Sequence, residues 1–274
     1  MRRMERISRS FQLVGQSYRI LMKDKELMVL PLLSGLVIIG AVVGVGFGFG
    51  FTFDPERFQE RGAGVYVPMF LMYVVTYTIG IFFQAAVIAG ATERMRGGDP
   101  TVRSALSAAS RRLGSILAWA IVAATVGVII RAIHDRLGFV GKIIASLLGA
   151  AWSLATFFVV PVLVLEERSI SDSFTRSVSV FKKTWGETVV GGVSLGMAAL
   201  CAWVTLVAVT GLLAMVAGAV ALVVFAVGAV VLMIFFSALQ GVYVASLFRY
   251  ATDGQTDPGF DSALFSHAFV PKKT

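Results

Sequence analysis

Gln84 and Gln240 carry the polar groups whose setting asks most of them chemically. Each is an amide inside an apolar segment, IFFQAAVIAGATER (81–94) and IFFSALQGVYVASLFR (234–249), ten and nine residues before a terminal Arg. An amide both donates and accepts hydrogen bonds, and polar groups at membrane depth are costly and often functional. Two readings follow: facing groups in a substrate path, or an interhelical hydrogen bond of about 0.6–2 kcal/mol that fixes packing. The second is favoured. His134 adjoins Asp135, but no nucleophile is placed to use them, so the pair reads as solvated. His134 and His267 lie far apart, with no Cys or paired carboxylates at metal-ligand spacing. Cys201 is the single cysteine and cannot form an intramolecular disulfide. The stretch GVGFGFGF (44–51) lacks the Lys-Ser/Thr that a phosphate loop needs, so its glycines read as close-packing contacts. Gly191, Gly192 and Gly196 read the same way. No catalytic residue, metal site or cofactor is expected, and the chain reads as non-enzymatic.

The carboxylates agree with this. Glu166, Glu167 and Glu187 stand at the ends of apolar runs, where water and headgroups solvate them and Arg168 or Lys183 can pair with them. No Asp, Glu, Lys or Arg lies at the centre of any run, which argues against a proton- or sodium-coupled pump. Pro31, Pro68 and Pro161 lie in apolar runs and read as static kinks rather than hinges. Trp119 and Trp152 read as packing or interface aromatics.

The elements that must position these groups are set by charge-free runs. They are Leu27–Phe53, Gly62–Thr92, Leu113–Ile130, Ile143–Leu165 and Thr188–Phe248. Crossing about 30 Å of hydrocarbon takes roughly 20 helical residues. The first four runs are one span each. The last would make one helix of about 90 Å, so it folds back near Thr210–Gly218. The fold class expected is all-α, a polytopic bundle of six transmembrane helices in a single integral membrane domain, residues 1–274. A composition of 57% hydrophobic and 15% charged residues, with mean hydropathy +0.83, fits lipid around much of the surface; soluble domains carry about 25% charged residues.

Between the runs sit basic, amphipathic stretches. Phe174, Val178, Phe181 and Trp185 are spaced 4, 3 and 4, one face of a helix, with Ser173, Arg176, Lys182 and Lys183 around it. Val102, Leu106, Ala109 and Leu113 repeat that spacing beside Arg103, Arg111 and Arg112, and Phe11, Gly15, Tyr18 and Met22 repeat it again. The tail begins a further copy at Phe260 and Leu264. Asp99-Pro100, Ser171-Asp172 and Asp257-Pro258 read as the entry caps. The unit is therefore one surface helix plus two spans, three times over: about 7–94, 99–168 and 171–249, followed by a tail at 250–274. Alternate connecting segments hold 19 and 5 Lys/Arg, which places both termini in the cytoplasm and the surface helices on its side. The basic N-terminal stretch reaches 26 residues before the first run and no small-residue cleavage pattern follows, so a retained span is expected.

The fourth-span sequence Phe157-Phe158-Val159-Val160-Pro161, with Phe181-Lys182-Lys183-Thr184-Trp185-Gly186-Glu187, resembles a family of uncharacterised prokaryotic multi-spanning membrane proteins classed as a domain of unknown function. The resemblance implies fold and cell-membrane localisation and no activity. A net charge of +8 gathered beside apolar runs points to anionic headgroups, not nucleic acid. The function expected is a scaffold or assembly role. Arg103, Arg111, Arg112, Arg176, Lys182, Lys183 and Trp185 would contact anionic lipid, a protein partner or a second copy. The alternative is a small-molecule transporter or permease whose path Gln84 and Gln240 line.

Overall fold

The computed structural model describes residues 15, 17–48, 66–136 and 138–253. The expectations for Phe11 and for the tail copy at Phe260 and Leu264 lie outside them. So does the Asp257-Pro258 cap.

Among the described residues every regular element is helical. A short helix α1 (17–23) turns through a 3-10 segment (Lys25–Met28) into α2 (Val29–Gly48). There follow α3 (Tyr66–Met95), the short α4 (Val102–Ser110), α5 (Leu113–Arg136) and α6 (Gly138–Thr156). A three-residue α7 (Val159–Pro161) runs on as a π turn (Val162–Glu166), and two long helices close the chain, α8 (Ile170–Ala214) and α9 (Gly218–Asp253). Six stretches among the described residues are long and apolar enough to cross a membrane: Lys25–Gly48, Phe70–Met95, Leu113–Asp135, Gly138–Glu166, Thr188–Ala214 and Gly218–Thr252. The last charge-free run does fold back. Its turn at Met215–Ala217 is closed by the Val216 N–H on Leu213 O (3.1 Å) and the Ala217 N–H on the same carbonyl (2.8 Å).

The third surface stretch is not a separate element. It is continuous with the fifth span in the 45 residues of α8. At the junction, 182–188, the sequence offers one helix-weakening residue, Gly186, and a single interior Gly costs only about 1 kcal/mol. By contrast α3 ends firmly. Gly97 takes φ +85, and the Gly98 N–H reaches Glu93 O (3.0 Å) while the Gly97 N–H reaches Arg94 O (3.0 Å), a Schellman closure.

The chain divides into two compact units. The described residues of Met1–Pro31, Gly90–Ser104 and Lys182–Thr274 form one, and those of Leu32–Ala89 and Ala105–Phe181 the other. Each draws on more than one sequence repeat. In the first, every residue from Gly241 to Arg249 is buried, and Tyr243 lies over Gly191, where an added Cβ would fall 1.8 Å from the hydroxyl. In the second, Trp119 stacks on Trp152 (5.7 Å) and Trp152 on Phe174 (5.8 Å), tying α5, α6 and α8 together. Away from these cores the spans are bare: Val204, Leu212, Val223 and Val227 are all more than half exposed. Lipid takes up such surface without penalty, because its tails are as apolar as the side chains.

Candidate functional site

The charged residues at the span ends make specific pairs. In the first unit the buried Asp24 carboxylate accepts both Nε and Nη2 of Arg94, and Arg94 also reaches Asp99 at 2.7 Å. Asp99 is thus an ion-pair partner and not the helix cap expected of it. Thr101 is the cap: its hydroxyl accepts the Ser104 N–H (3.1 Å), and the Ser104 hydroxyl accepts the Thr101 N–H (3.0 Å). The next copy is capped two residues earlier than expected, since Ser169 accepts the Asp172 N–H (3.2 Å) and donates to Asp172 Oδ2 (2.6 Å).

In the second unit Glu166 receives Arg176 at 2.9 Å and Arg168 at 2.5 Å, while Glu167, in the left-handed conformation (φ +56), receives Arg112. This corrects the roles expected of Arg112 and Arg176, because their charges are met inside the fold. The carboxylate partners stood at positions 166 and 167 in plain view. Pairing across ten and fifty-five residues has no local signature. Arg103, Arg111, Lys182 and Lys183 are exposed, and Trp185 is 60% exposed.

The stripe that faces protein is also displaced. On α8 the residues that vanish from the surface are Ser173, Ser177, Val180 and Thr184, each one position before the expected Phe174, Val178, Phe181 and Trp185. On α1 they are Ser17, Ile20 and Leu21, followed by Asp24 just past its end, while Tyr18 is 45% exposed. On α4 they are Ala105 and Ala109, of which Ala109 alone belongs to the expected stripe. On α4 and α8 the inward face is made mostly of small and hydroxyl side chains, with Val180 among them, whereas on α1 Ile20 and Leu21 also turn inward.

Ser177 has a particular task there. Pro161 lacks an N–H and its ring clashes with the carbonyl four residues back, and the fourth span is broken at that place, Phe157–Phe158. The Phe158 N–H freed by the break donates to Ser177 Oγ (3.0 Å), and Ser177 Oγ donates to Ala155 O (2.7 Å). One buried hydroxyl from α8 bridges both sides of the gap. A neighbour's hydroxyl is one of the ways a span accommodates the backbone groups freed near an interior Pro. The Pro161 kink is therefore held by a specific side chain. Pro31 and Pro68 sit in the first turns of α2 and α3, where no helical N–H bond is lost.

At the far end of the second unit, α3, α5 and α6 enclose a cleft of about 390 Å³. Gly127, Val128, Ile130 and Ala145, the last of them buried, supply its apolar lining, and Tyr73, Arg131, His134, Asp135 and Ser146 its polar lining. Asp135 is 2.9 Å from His134 Nδ1 and 3.7 Å from Arg131 Nε. The His134–Asp135 pair expected from the sequence is present, but it lines a cavity.

Gln84 and Gln240 are both exposed, so neither amide makes the buried packing bond favoured for it. Gln84 lies on the same exposed face of α3 as Tyr73 and Tyr77, whose rings stack at 5.3 Å. Gly191 packs under Tyr243 as expected, whereas Gly192 and Gly196 have no atom within 4 Å of where a Cβ would stand. Among the described residues no cluster of three or more His, Cys, Asp or Glu side chains is placed to hold a metal ion.

No curated protein and no solved structure matches this chain. Residues 63–260, from before the second span to beyond the sixth, match a family of unknown function, DUF6159. With most of its length matched, and six apolar helices of spanning length beneath the match, the chain belongs to that family.

Proposed function

We propose that this is a multi-pass protein of a prokaryotic cell membrane, with both termini cytoplasmic and no catalytic activity, that works through contacts of its basic helix surfaces with anionic lipid headgroups. The observation that carries this reading is the placement of Lys182, Lys183 and Trp185. All three are exposed within two turns of Thr188, where the fifth span begins. A cationic side chain at that level gains about 1 kcal/mol from a charged leaflet, and Trp favours the same depth. Exposed Arg103 and Arg111 extend the basic character on and just after α4. Arg112 and Arg176 leave the set of lipid contacts, since Glu167 and Glu166 engage them. The same free cations would suit an acidic partner protein or a second copy. A permease path through Gln84 and Gln240 has no observation in its favour beyond their polarity.

Native mass spectrometry of the purified protein tests the lipid contact. Wild type should retain phosphatidylglycerol in preference to phosphatidylcholine, and a Lys182→Glu/Lys183→Glu variant should lose at least about twentyfold of that preference, as expected for two charges worth about 1 kcal/mol each. Retention unchanged by the double substitution would move the reading to a protein partner.

A further inference from the structure

We infer that the cleft between α3, α5 and α6 binds the headgroup of a zwitterionic aminophospholipid, at the end of α5 away from Arg112. Three features point there. The first is depth. Arg131 follows Arg112 by nineteen residues along α5, about 28 Å at helical rise. With Arg112 at one hydrocarbon boundary, Arg131 stands at the other, where lipid phosphates lie.

The second is shape. The lining at Val128, Ile130 and Ala145 is apolar while Arg131, His134 and Asp135 line it near the end of α5, which suits a ligand with a polar head and an apolar body. A volume of about 390 Å³ is within the range of small-ligand sites and is too small for a folded partner.

The third is charge, and it selects the headgroup. The rim offers one guanidinium and one carboxylate 3.7 Å apart, beyond hydrogen-bond distance. Arg131 is 79% exposed and Asp135 56%, so each has capacity left for a ligand. A phosphate on Arg131 places the headgroup ammonium beside Asp135, in a cleft that Tyr73 also lines. A purely anionic headgroup would satisfy Arg131 and be repelled by Asp135. The rim therefore favours phosphatidylethanolamine over phosphatidylglycerol, the reverse of the preference proposed for Lys182 and Lys183.

The test uses the full chain, delipidated in detergent and exposed to vesicles of one lipid or the other, with bound lipid counted by native mass spectrometry. A Lys182→Glu/Lys183→Glu background removes the basic surface's contribution. Phosphatidylethanolamine should be retained about tenfold over phosphatidylglycerol, one ion pair's worth of discrimination. Asp135→Asn should bring the two within about twofold, largely by raising phosphatidylglycerol, while Arg131→Gln weakens both. Ala145→Phe, which adds bulk to the apolar lining, should block both. Equal retention in the parent, or an Asp135→Asn variant that keeps the parent's preference, overturns the site. Protection of the cleft by free O-phosphoethanolamine as strongly as by vesicles would overturn the lipid and leave a soluble ligand of the same headgroup chemistry.

Discussion

Gly191 is the residue on which the first unit's packing turns most sharply. An alanine there would put its Cβ 1.8 Å from the Tyr243 hydroxyl and 2.6 Å from the ring carbon that bears it, and Tyr243 is 3% exposed. The ring must move within a stretch that is buried on every side, so Gly191→Ala should destabilise by about 1–3 kcal/mol. Gly192→Ala and Gly196→Ala meet open space and should be neutral or slightly stabilising by relief of the helical glycine cost, at most about 1 kcal/mol each. Thermal unfolding of the three variants in one detergent separates them. If Gly191→Ala melts with the other two, the Tyr243 contact does not hold the helices together. Adding Tyr243→Phe to Gly191→Ala should recover only part of the loss, because the ring carbon stays too close. The sequence shows three glycines of equal promise. Only the path of α9 singles out the first, and that is a non-local fact.

The spans were legible because lipid leaves the backbone few choices. A segment crossing hydrocarbon must satisfy its own hydrogen bonds and carry few charges, and both conditions show in Leu113–Ile130 or Thr188–Phe248 without any partner in view. The inward face of each basic stretch was not legible, and the reason is the same solvent. In water the apolar stripe Phe174–Val178–Phe181–Trp185 would have to turn inward. Beside a bilayer it can turn outward, so apolarity no longer distinguishes core from surface, and small side chains that let helices approach take the inside. Ser173 and Ser177 both lie on that inner face and both are fully buried, yet they differ in consequence. Ser177→Ala strips the partner from the Phe158 N–H and the Ala155 carbonyl at the broken span, and should cost about 1–3 kcal/mol. The Ser173 hydroxyl has no hydrogen-bond partner among the described residues, so Ser173→Ala should be neutral or stabilising. Amide hydrogen exchange at Phe158 should accelerate in the first variant alone. Equal behaviour of the two would show that the break is held by packing and not by the seryl bridge.

For the whole molecule the decisive quantity is the number of crossings in the last charge-free run, because it fixes which side every later residue occupies. Two crossings place the turn at Met215–Ala217 across the membrane from both Arg103 and the end of α9. Three would leave Arg249 outside, next to a tail holding Lys272 and Lys273, against the Lys/Arg bias. The helices favour two, since Thr188–Ala214 and Gly218–Thr252 are each long enough to span and nothing between them but a three-residue turn breaks the helix. Cys201 is the single native thiol, so a Cys201→Ser background carries no other reporter. Val216 is 88% exposed at the turn. In that background, Val216→Cys should react with a membrane-impermeant maleimide on intact cells. Arg103→Cys and Thr252→Cys should react only after the membrane is opened. Labelling of Thr252→Cys from outside with Arg103→Cys still protected would give the last run an odd number of crossings. Labelling of Arg103→Cys from outside and of Val216→Cys only from within would keep six crossings and invert the protein, moving the Lys182/Lys183 surface to the outer leaflet and the Arg131 cleft to the inner one.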